Sequence, residues 1–220
     1  MVKDASFYGI DPAAGHPERL LALGYTPSAA EGGVSALFAL DATLARLALG
    51  TRDVMVAQLR LTWWYEALGR FGVAVPPAQP ILQTLASAGA DGTALARMAT
   101  GWERLLDTPS NEDLLAFAAD RATVFTESAR LAEAADDVRD AGSGWALADL
   151  ARTTSDPALS RRAAALAAPM LDRAAAQKWS APARFLGALI HVARADLAGE
   201  HAIGAPRRVA RLAWHRMTGR

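Results

Sequence analysis

The sequence contains no cysteine, which excludes a disulfide framework, a thiol nucleophile and any cysteine-ligated zinc or iron–sulfur centre. Lysine is scarce as well, because the 23 basic side chains comprise 21 arginines and only 2 lysines. The 23 acidic side chains balance them, so the formal net charge is zero. A zero net charge argues against a general nucleic-acid-binding protein.

Long apolar runs are also missing. The N-terminal residues hold no apolar stretch of the length that a signal peptide needs. The longest uncharged stretch, residues 71–90, contains three prolines and is not typical of a membrane-spanning helix. We therefore expect a cytoplasmic protein, and the sequence is also compatible with peripheral contact with the inner membrane.

Alanine is abundant, with 52 among 220 residues, and 52% of all residues are hydrophobic. Alanine favours helices that pack closely. No segment alternates convincingly between apolar and polar residues, and clusters of β-branched residues are missing. The pattern predicts an all-α fold, a single bundle of about eight or nine helices over residues 1–220. We expect residues 1–27 to be irregular and residues 206–217 to form a basic C-terminal helix.

Small polar residues and prolines predict where helices begin. Ser28 and Glu31 have the spacing of a capping box before the apolar residues 36–49. Proline suits the first turn of a helix. Three helices are predicted to begin in this way, at Pro80, at Pro157 after the cap Asp156, and at Pro206.

Two further boundaries concern the middle of the chain. One long helix is predicted from Asn111 to about residue 135, because Ser110 and Asn111 can cap its start. Gly142 and Gly144 are predicted to interrupt the pattern before a shorter helix over residues 145–152.

The most distinctive segment is the helix predicted over residues 53–71, which contains two adjacent tryptophans. Its apolar residues recur at helical spacing and predict one buried stripe of Ala57, Leu61, Trp64, Leu68 and Phe71. Arg60 lies one turn before Trp64, so its guanidinium can stack on the indole. Trp63 and Trp64 are either ordinary core aromatics or, with Arg60, part of the lining of a ligand cavity.

Several stretches of the chain form a pattern when they are taken together. They begin with HPERLLALGYTP at residues 16–27 and ALFALDATLARLALGTRDVMVAQLRLTWWYEAL at residues 36–68. They continue with LLAFAADRATVFTESARLAEA, GSGWALADLAR, PARFLGALIHVARADLAG and RRVARLAWHRMTGR. Together these stretches resemble the squalene/phytoene synthase family. The resemblance implies an isoprenoid-synthase-like bundle around a central cavity.

Active members of that family condense two prenyl diphosphates head to head. The resemblance implies two aspartate-rich helices that hold magnesium and diphosphate across the cavity. The first should be the helix that contains Asp41, but Ala45 and Leu49 occupy its expected aspartate positions and only Asp41 lies nearby. The second should follow Gly144, where Asp149 lacks the paired aspartates. No metal site is therefore implied, and magnesium would be a cofactor only if activity survived.

The resemblance also suggests which side chains line a cavity for an isoprenoid or lipid ligand. The candidates are Asp41, Arg60, Trp63, Trp64, Asp120 and Asp149. Asp120 and its neighbour Arg121 either face an internal cavity or pair at the surface, because helical spacing does not decide between these alternatives. The four histidines do not have the spacing of metal ligands.

A separate acidic motif, residues 136–140, matches the DDxxD pattern of other prenyl synthases. As catalytic candidates, Asp136, Asp137 and Asp140 would hold diphosphate through metal ions. The motif falls near the predicted end of a helix, where negative charge is unfavourable by about 0.3–1 kcal/mol. We favour the alternative, in which these acids are solvated in a loop or a helix cap.

Charge is distributed unevenly along the chain. Residues 201–220 contain five arginines and no acidic residue, so the other residues carry a net charge of −5. Arg207, Arg208, Arg211 and Trp214 are candidates for contact with an anionic membrane or a protein partner. The alternative is a solvated last helix whose arginines complement its C-terminal dipole.

Three hypotheses for the function follow. The first is a non-catalytic family member with a binding or assembly role, like the branch that has lost its aspartates and assists assembly of respiratory complex I. The second is an active prenyltransferase that condenses prenyl diphosphates in isoprenoid or carotenoid biosynthesis. The third is an unrelated helical interaction module. The loss of the aspartate pairs favours the first.

Overall fold

The computed structural model describes residues 13, 15–50, 53–199 and 201–220, and this part of the chain is all-helical, which confirms the predicted class. Its α-helices are α1 (Pro17–Leu23), α2 (Glu31–Leu49), α3 (Val54–Gly69), α4 (Pro80–Ser87), α5 (Gly92–Glu103), α6 (Asn111–Arg121), α7 (Thr123–Leu131), α8 (Arg139–Thr153), α9 (Pro157–Ala176), α10 (Arg184–Ala198) and α11 (Pro206–Thr218). A 3-10 turn, Ala181–Ala183, precedes α10. Buried apolar side chains from Ala22 to Leu212 form one core cluster.

The described residues contain more helices than eight or nine, for two reasons. The prediction of an irregular segment up to residue 27 is wrong over Pro17–Leu23, because α1 begins at Pro17 and buries Ala22 in the core. Residues 1–12 and 14 lie outside the described part of the chain. The predicted long helix from Asn111 divides at Ala122 into α6 and α7.

Two helices, α2 and α8, form the centre of the bundle. α2 packs against α3, α4, α5 and α7, while α8 packs against α6, α7, α9 and α10. By length and composition alone α2 could cross a membrane. In the structure, however, 61% of the most apolar 18-residue stretch of α2 is buried inside the protein, which is typical of the core helix of a bundle.

Close packing around α8 depends on glycine. Gly142 and Gly144 lie inside this helix, so the prediction that they interrupt it is wrong. A Cβ on Gly142 would lie 2.9 Å from Phe125 Cβ and 3.1 Å from Ala122 Cα. A Cβ on Gly144 would lie 2.8 Å from Met170 Cβ. The neighbouring helices can approach the α8 backbone only because these side chains are absent, and this packing offsets the low helix propensity of glycine.

The helix starts predicted from proline are confirmed for α4, α9 and α11. Asp156 caps α9 and accepts a hydrogen bond from the backbone nitrogen of Ala158 at 2.8 Å. The predicted capping box is wrong, because Glu31 is already the first residue of α2 and Ala30 precedes it without a side-chain cap. Ser28 lies in the turn before that helix.

The last helix is joined to the body of the protein through α10, which packs against both α1 and α11. The backbone nitrogen of Trp179 donates to the carbonyl oxygen of Gly219 at 2.8 Å. Gly219 has a φ of 74°, and a Cβ there would collide with the Trp179 carbonyl. This contact fixes the end of α11 beside the start of α10.

Candidate functional site

Two acidic and two basic side chains meet in the interior, where α1, α2, α6 and α8 come together. Arg121, the last residue of α6, donates from Nε to Asp41 Oδ1 at 2.8 Å and from Nη2 to Asp41 Oδ2 at 2.7 Å. Its Nη2 also donates to Asp149 Oδ2 on α8 at 2.5 Å. Arg19 on α1 donates from Nη1 to Asp149 Oδ1 at 2.5 Å. We call Arg19, Asp41, Arg121 and Asp149 the central ion cluster.

The central ion cluster is shielded from solvent, since no more than 7% of any of its side chains is exposed. Its two carboxylates and two guanidiniums sum to zero charge, and such pairing is the condition under which charges are tolerated in a protein interior. Arg152 adds a third guanidinium from a position closer to solvent, with Nη2 3.2 Å from Asp149 Oδ1.

Aromatic rings surround the guanidinium of Arg121. Its Cζ lies 4.5 Å from the ring centroid of Trp145, 4.7 Å from that of Trp102 and 5.8 Å from that of Phe117. Nη1 donates to the backbone carbonyl of Ala146 at 3.0 Å. A guanidinium can stack on aromatic faces while it donates hydrogen bonds in its own plane. Arg121 is therefore bound on its edges and on its faces.

The local electrostatics keep Asp149 and Arg121 ionised. Burial would raise the pKa of Asp149, but the attraction of Arg19 and Arg121 outweighs it and holds that pKa well below its usual range. Burial likewise disfavours the charge on Arg121, yet Asp41 and Asp149 raise its pKa above that of a free arginine. The site therefore carries fixed charges and has no carboxylic acid proton at Asp149 to donate at neutral pH.

The cluster can join helices, but its oxygens are already engaged. Both oxygens of Asp41 accept from Arg121. One oxygen of Asp149 accepts from Arg121, and the other accepts from Arg19 and Arg152. A metal ion at these carboxylates would have to displace a guanidinium and would lie beside the remaining positive charges.

Of the six predicted cavity residues, the structure brings Asp41 and Asp149 together through Arg121. Asp120 lies instead between α5 and α6, where its Oδ2 is 3.6 Å from Arg104 Nε and burial raises its pKa. Successive residues of an α-helix point about 100° apart, so Asp120 and Arg121 face different neighbours. Arg121 lies in the packed interior and Asp120 pairs with Arg104, so neither of the two alternatives describes both residues.

The predicted buried stripe of α3 is confirmed, with Phe71 half-buried at its end. Trp64 is buried at 6% exposure, while Trp63 is 45% exposed and packs edge-on against it with ring centroids 5.2 Å apart. Arg60 is exposed on the outer side of the helix, so it does not line an interior cavity. Trp63 instead continues an exposed apolar stripe with Met55 and Leu59, which are 71% and 67% exposed.

The acids of the DDxxD motif do not share one helix face. Asp136 and Asp137 precede α8, and Asp140 lies in its first turn. Each interacts with a different group, Asp136 with Ser180, Asp137 with Arg139 and Asp140 with Arg173. Their interpretation as solvated loop and helix-end acids fits this arrangement, and they do not converge on a common point.

The C-terminal helix turns a different side to solvent than the sequence predicts. Arg208 is buried, donating from Nε to Glu18 Oε2 at 2.8 Å and from Nη2 to Asp196 Oδ1 at 2.5 Å. Its prediction as a membrane or partner contact is therefore wrong, because the buried carboxylate of Glu18 and the partly buried carboxylate of Asp196 bind its guanidinium inside the protein. Arg207, Arg211 and Trp214 are exposed.

Next to this ion pair, His16, Glu18 and Asp196 place ligand-type atoms within 4.8 Å of one another. Arg208 lies against both carboxylates, and the backbone nitrogen of Gly204 donates to Glu18 Oε1 at 2.7 Å. Both oxygens of Glu18 and Oδ1 of Asp196 thus accept hydrogen bonds from within the protein. We therefore assign this group to the attachment of α11 to α1 and α10.

A cleft of about 260 Å³ opens between α10 and α11. Its polar and charged lining comes from α1, α10, α11 and the turn before α11, and consists of Glu18, His191, Arg194, His201, Arg207, Arg208 and Arg211. A second cavity of about 180 Å³ is lined by Leu61, Thr62, Tyr65, Ala99, Thr100 and Glu103. No member of the central ion cluster lines either cavity.

Sequence reasoning missed the partners of the two interior acids. Asp41 and Asp149 lie among apolar residues of their helices, and a carboxylate at such a position needs a cation. That signal does not say which of 21 arginines supplies the charge. The answer depends on contacts between residues that lie 80 and 130 positions apart in the chain.

The fold and the site together define the class of the protein, an all-helical bundle with a neutral, buried ion cluster between its central helices. No known protein family, curated protein or solved structure matches the chain significantly. The resemblance to the squalene/phytoene synthase family therefore depends on the sequence stretches quoted above.

Proposed function

We propose that this protein is a non-catalytic member of the squalene/phytoene synthase family, whose helical bundle serves as a binding or assembly scaffold. The observation that carries the proposal is the central ion cluster. Asp41 and Asp149 stand on the two helices where the sequence resemblance implies aspartates, and arginines bind both of them inside the protein.

Loss of the paired acids supports the same proposal. Magnesium that holds diphosphate needs several oxygen ligands, which two carboxylates one turn apart can provide. One turn after Asp41 stands Ala45. One turn after Asp149 stands Thr153, whose hydroxyl donates to the backbone carbonyl of Asp149 at 2.8 Å. Asp41 and Asp149 are thus single acids without a second acid one turn later, and both are already paired with arginine.

The packing of aromatic side chains around the cluster also supports a structural use of the interior. Phe38 and Phe125 lie against Trp145, with ring centroids 5.6 and 5.3 Å away. Trp102 packs on Phe117 with centroids 4.9 Å apart. A prenyl chain that entered here would have to displace these rings, which contribute to the core by burial and by their mutual contacts.

The binding part of the proposal draws on the surface of α3. Met55, Leu59 and Trp63 follow one another at intervals of one turn and are exposed. Apolar side chains that adjoin one another on a protein surface are typical of contact sites, whereas single exposed apolar residues are not. This stripe therefore supports a role in interaction rather than in catalysis.

An assay of pyrophosphate release from farnesyl and geranylgeranyl diphosphate with magnesium tests the proposal. We expect no release above the background of a mock purification. Arg161→Gln, a substitution at an exposed site, is the control for purity and folding. Turnover that Asp41→Asn, Asp149→Asn or Asp136→Ala abolishes, and that Arg161→Gln leaves intact, would contradict the proposal and support the prenyltransferase alternative.

A further inference from the structure

The cleft between α10 and α11 has an excess of positive charge. Arg207 and Arg211 line it, and neither makes an ion pair with a carboxylate within the described part of the chain. Arg194 also lines it and pairs through Nε with Asp172 Oδ1 at 2.7 Å. The two unbalanced guanidiniums make the cleft attractive to an anion.

The acidic residue in the wall of the cleft does not cancel this charge. Glu18 contributes to the lining, but Arg208 donates to both of its oxygens at 3.0 and 2.8 Å. The backbone nitrogen of Gly204 donates to the same carboxylate at 2.7 Å. Glu18 is therefore balanced within the protein, and it leaves Arg207 and Arg211 as donors toward the cleft.

Arg211 is oriented by a neutral histidine. Its Nη2 lies 3.4 Å from His191 Nε2, and a guanidinium only donates, so Nε2 accepts and the ring proton resides on Nδ1. Burial, together with the charges of His215, Arg211 and Arg194, lowers the pKa of His191 to about 3. The ring therefore stays an acceptor at neutral pH and holds Arg211 without neutralising it.

The first turn of α11 adds to the positive potential. It contains no acidic residue, and no side chain caps it. Arg207 and Arg211 extend from the first two turns of this helix, where the partial positive charge of the helix dipole is concentrated. The helix end and the two side chains thus favour the same sign of ligand.

We propose that this cleft binds a phosphate group, carried either by a small soluble phosphorylated compound or by the headgroup of an anionic phospholipid. Arginine offers paired N–H donors that match phosphate oxygens. The volume of about 260 Å³ is below the roughly 300–1,000 Å³ of pockets for larger ligands, which suits a phosphate with a short substituent. Trp214 and Met217 are exposed on the same helix, where a lipid surface would meet them.

Two measurements test the cleft and separate the two sources of phosphate. Titration calorimetry with inorganic phosphate measures binding of the free group. Co-sedimentation with phosphatidylglycerol vesicles, compared with phosphatidylcholine vesicles, measures binding of the headgroup. Both are carried out on the full chain, at low ionic strength, because salt screens exposed charges.

The test variant is Arg207→Gln with Arg211→Gln. Its matched control is Arg97→Gln with Arg161→Gln, which removes the same charge from exposed sites elsewhere. The single variant Arg207→Gln keeps the test decisive if the double variant folds poorly, because Arg207 makes no hydrogen bond within the described residues. Circular dichroism verifies folding of each variant.

We expect the double variant to bind its ligand at least about tenfold more weakly than wild type, and the control variant to bind like wild type. Saturable binding of inorganic phosphate without vesicle binding identifies a soluble ligand. Binding to phosphatidylglycerol vesicles alone, lost in the double variant, identifies a lipid headgroup. The inference is wrong if wild type binds neither probe, or if the double variant binds as tightly as wild type. The cleft shares no residue with the central ion cluster, so this outcome is independent of the proposed function.

Discussion

Arg121 donates to both oxygens of Asp41, at 2.8 and 2.7 Å, and joins two helices whose residues lie 80 positions apart in the chain. Its contact with Asp149 extends the link to α8. One side chain thus connects the two central helices of the bundle. The same side chain occupies the oxygens that a metal ion would need.

Replacing Arg121 by methionine should strongly destabilise the protein. Asp41 would then be a buried carboxylate without a partner, and breaking a buried pair from one side typically costs about 3–5 kcal/mol. Urea unfolding followed by circular dichroism measures the free energy of unfolding. Arg161→Met, at an exposed site, should change it by no more than about 0.5 kcal/mol. A loss at Arg121 as small as that of this control would contradict the assigned role.

Removing the partner as well should recover part of that loss. The double variant Asp41→Leu with Arg121→Met leaves no unpaired carboxylate at position 41. Asp149 still accepts hydrogen bonds from Arg19 and Arg152. Buried ion pairs can often be replaced by apolar residues of similar volume at little cost. A double-mutant cycle should therefore give a coupling energy above about 1 kcal/mol. Additive effects of the two substitutions would show that the pair is not an energetic unit.

Gly142→Ala should destabilise the protein, although alanine is the better helix former. The new methyl group would lie 2.9 Å from Phe125 Cβ, and overpacking of this kind costs about 1–3 kcal/mol. Gly32→Ala is the matched control, because that glycine lies in α2 with no atom within 4 Å of an added Cβ. The control should be neutral or stabilising by up to about 1 kcal/mol. Equal effects of the two variants in urea unfolding would argue against close packing at α8.

Stability should fall as the pH drops below about 6.5, because buried histidines resist protonation in the folded protein. Burial is the main cause that lowers the pKa of His16, His191 and His215, and that of His191 falls from 6.5 to about 3. Between these values the unfolded chain binds a proton that the folded protein does not. The free energy contributed by neutral His191 is therefore complete above pH 6.5 and declines by up to about 1.4 kcal/mol per pH unit below it.

Urea unfolding at a series of pH values from neutral to mildly acidic measures this dependence. His191→Gln should show a shallower slope than wild type. Ionised Asp149 also stabilises the folded protein, and this contribution is lost only as the pH falls below 3.8, the ordinary pKa of aspartate. The contribution of His191 begins to decline already below pH 6.5, so the two can be told apart by pH. A wild-type stability that stays constant down to pH 5 would be inconsistent with buried, neutral histidines.

Local signals in the sequence predict much of the fold. Pro157 and Pro206 each begin a helix, and Asp156 caps one of them, because proline and N-cap residues act within a single turn. Gly142 misleads sequence reasoning, since its role is set by Phe125 and other residues of neighbouring helices. Tertiary packing overrides propensity at that position.

The candidate site is predictable only in part. Asp41 and Asp149 can be picked out from the family resemblance and from their apolar surroundings. Their pairing with Arg121 depends on how three helices meet, and no local pattern encodes it. The burial of Arg208 is likewise not predictable from local sequence. Helical spacing groups it with Arg207 and Arg211, but it is buried because it binds Glu18, which lies 190 positions away in the chain.

Magnesium binding tests the central claim most directly, because the claim is that arginines occupy the carboxylates of Asp41 and Asp149. Calorimetric titration of wild type with magnesium, with and without farnesyl diphosphate, is compared with Asp41→Asn and Asp149→Asn. We expect no saturable binding of magnesium at these residues, and therefore the same titration for wild type and both variants. Saturable binding by wild type that both substitutions abolish would contradict the account.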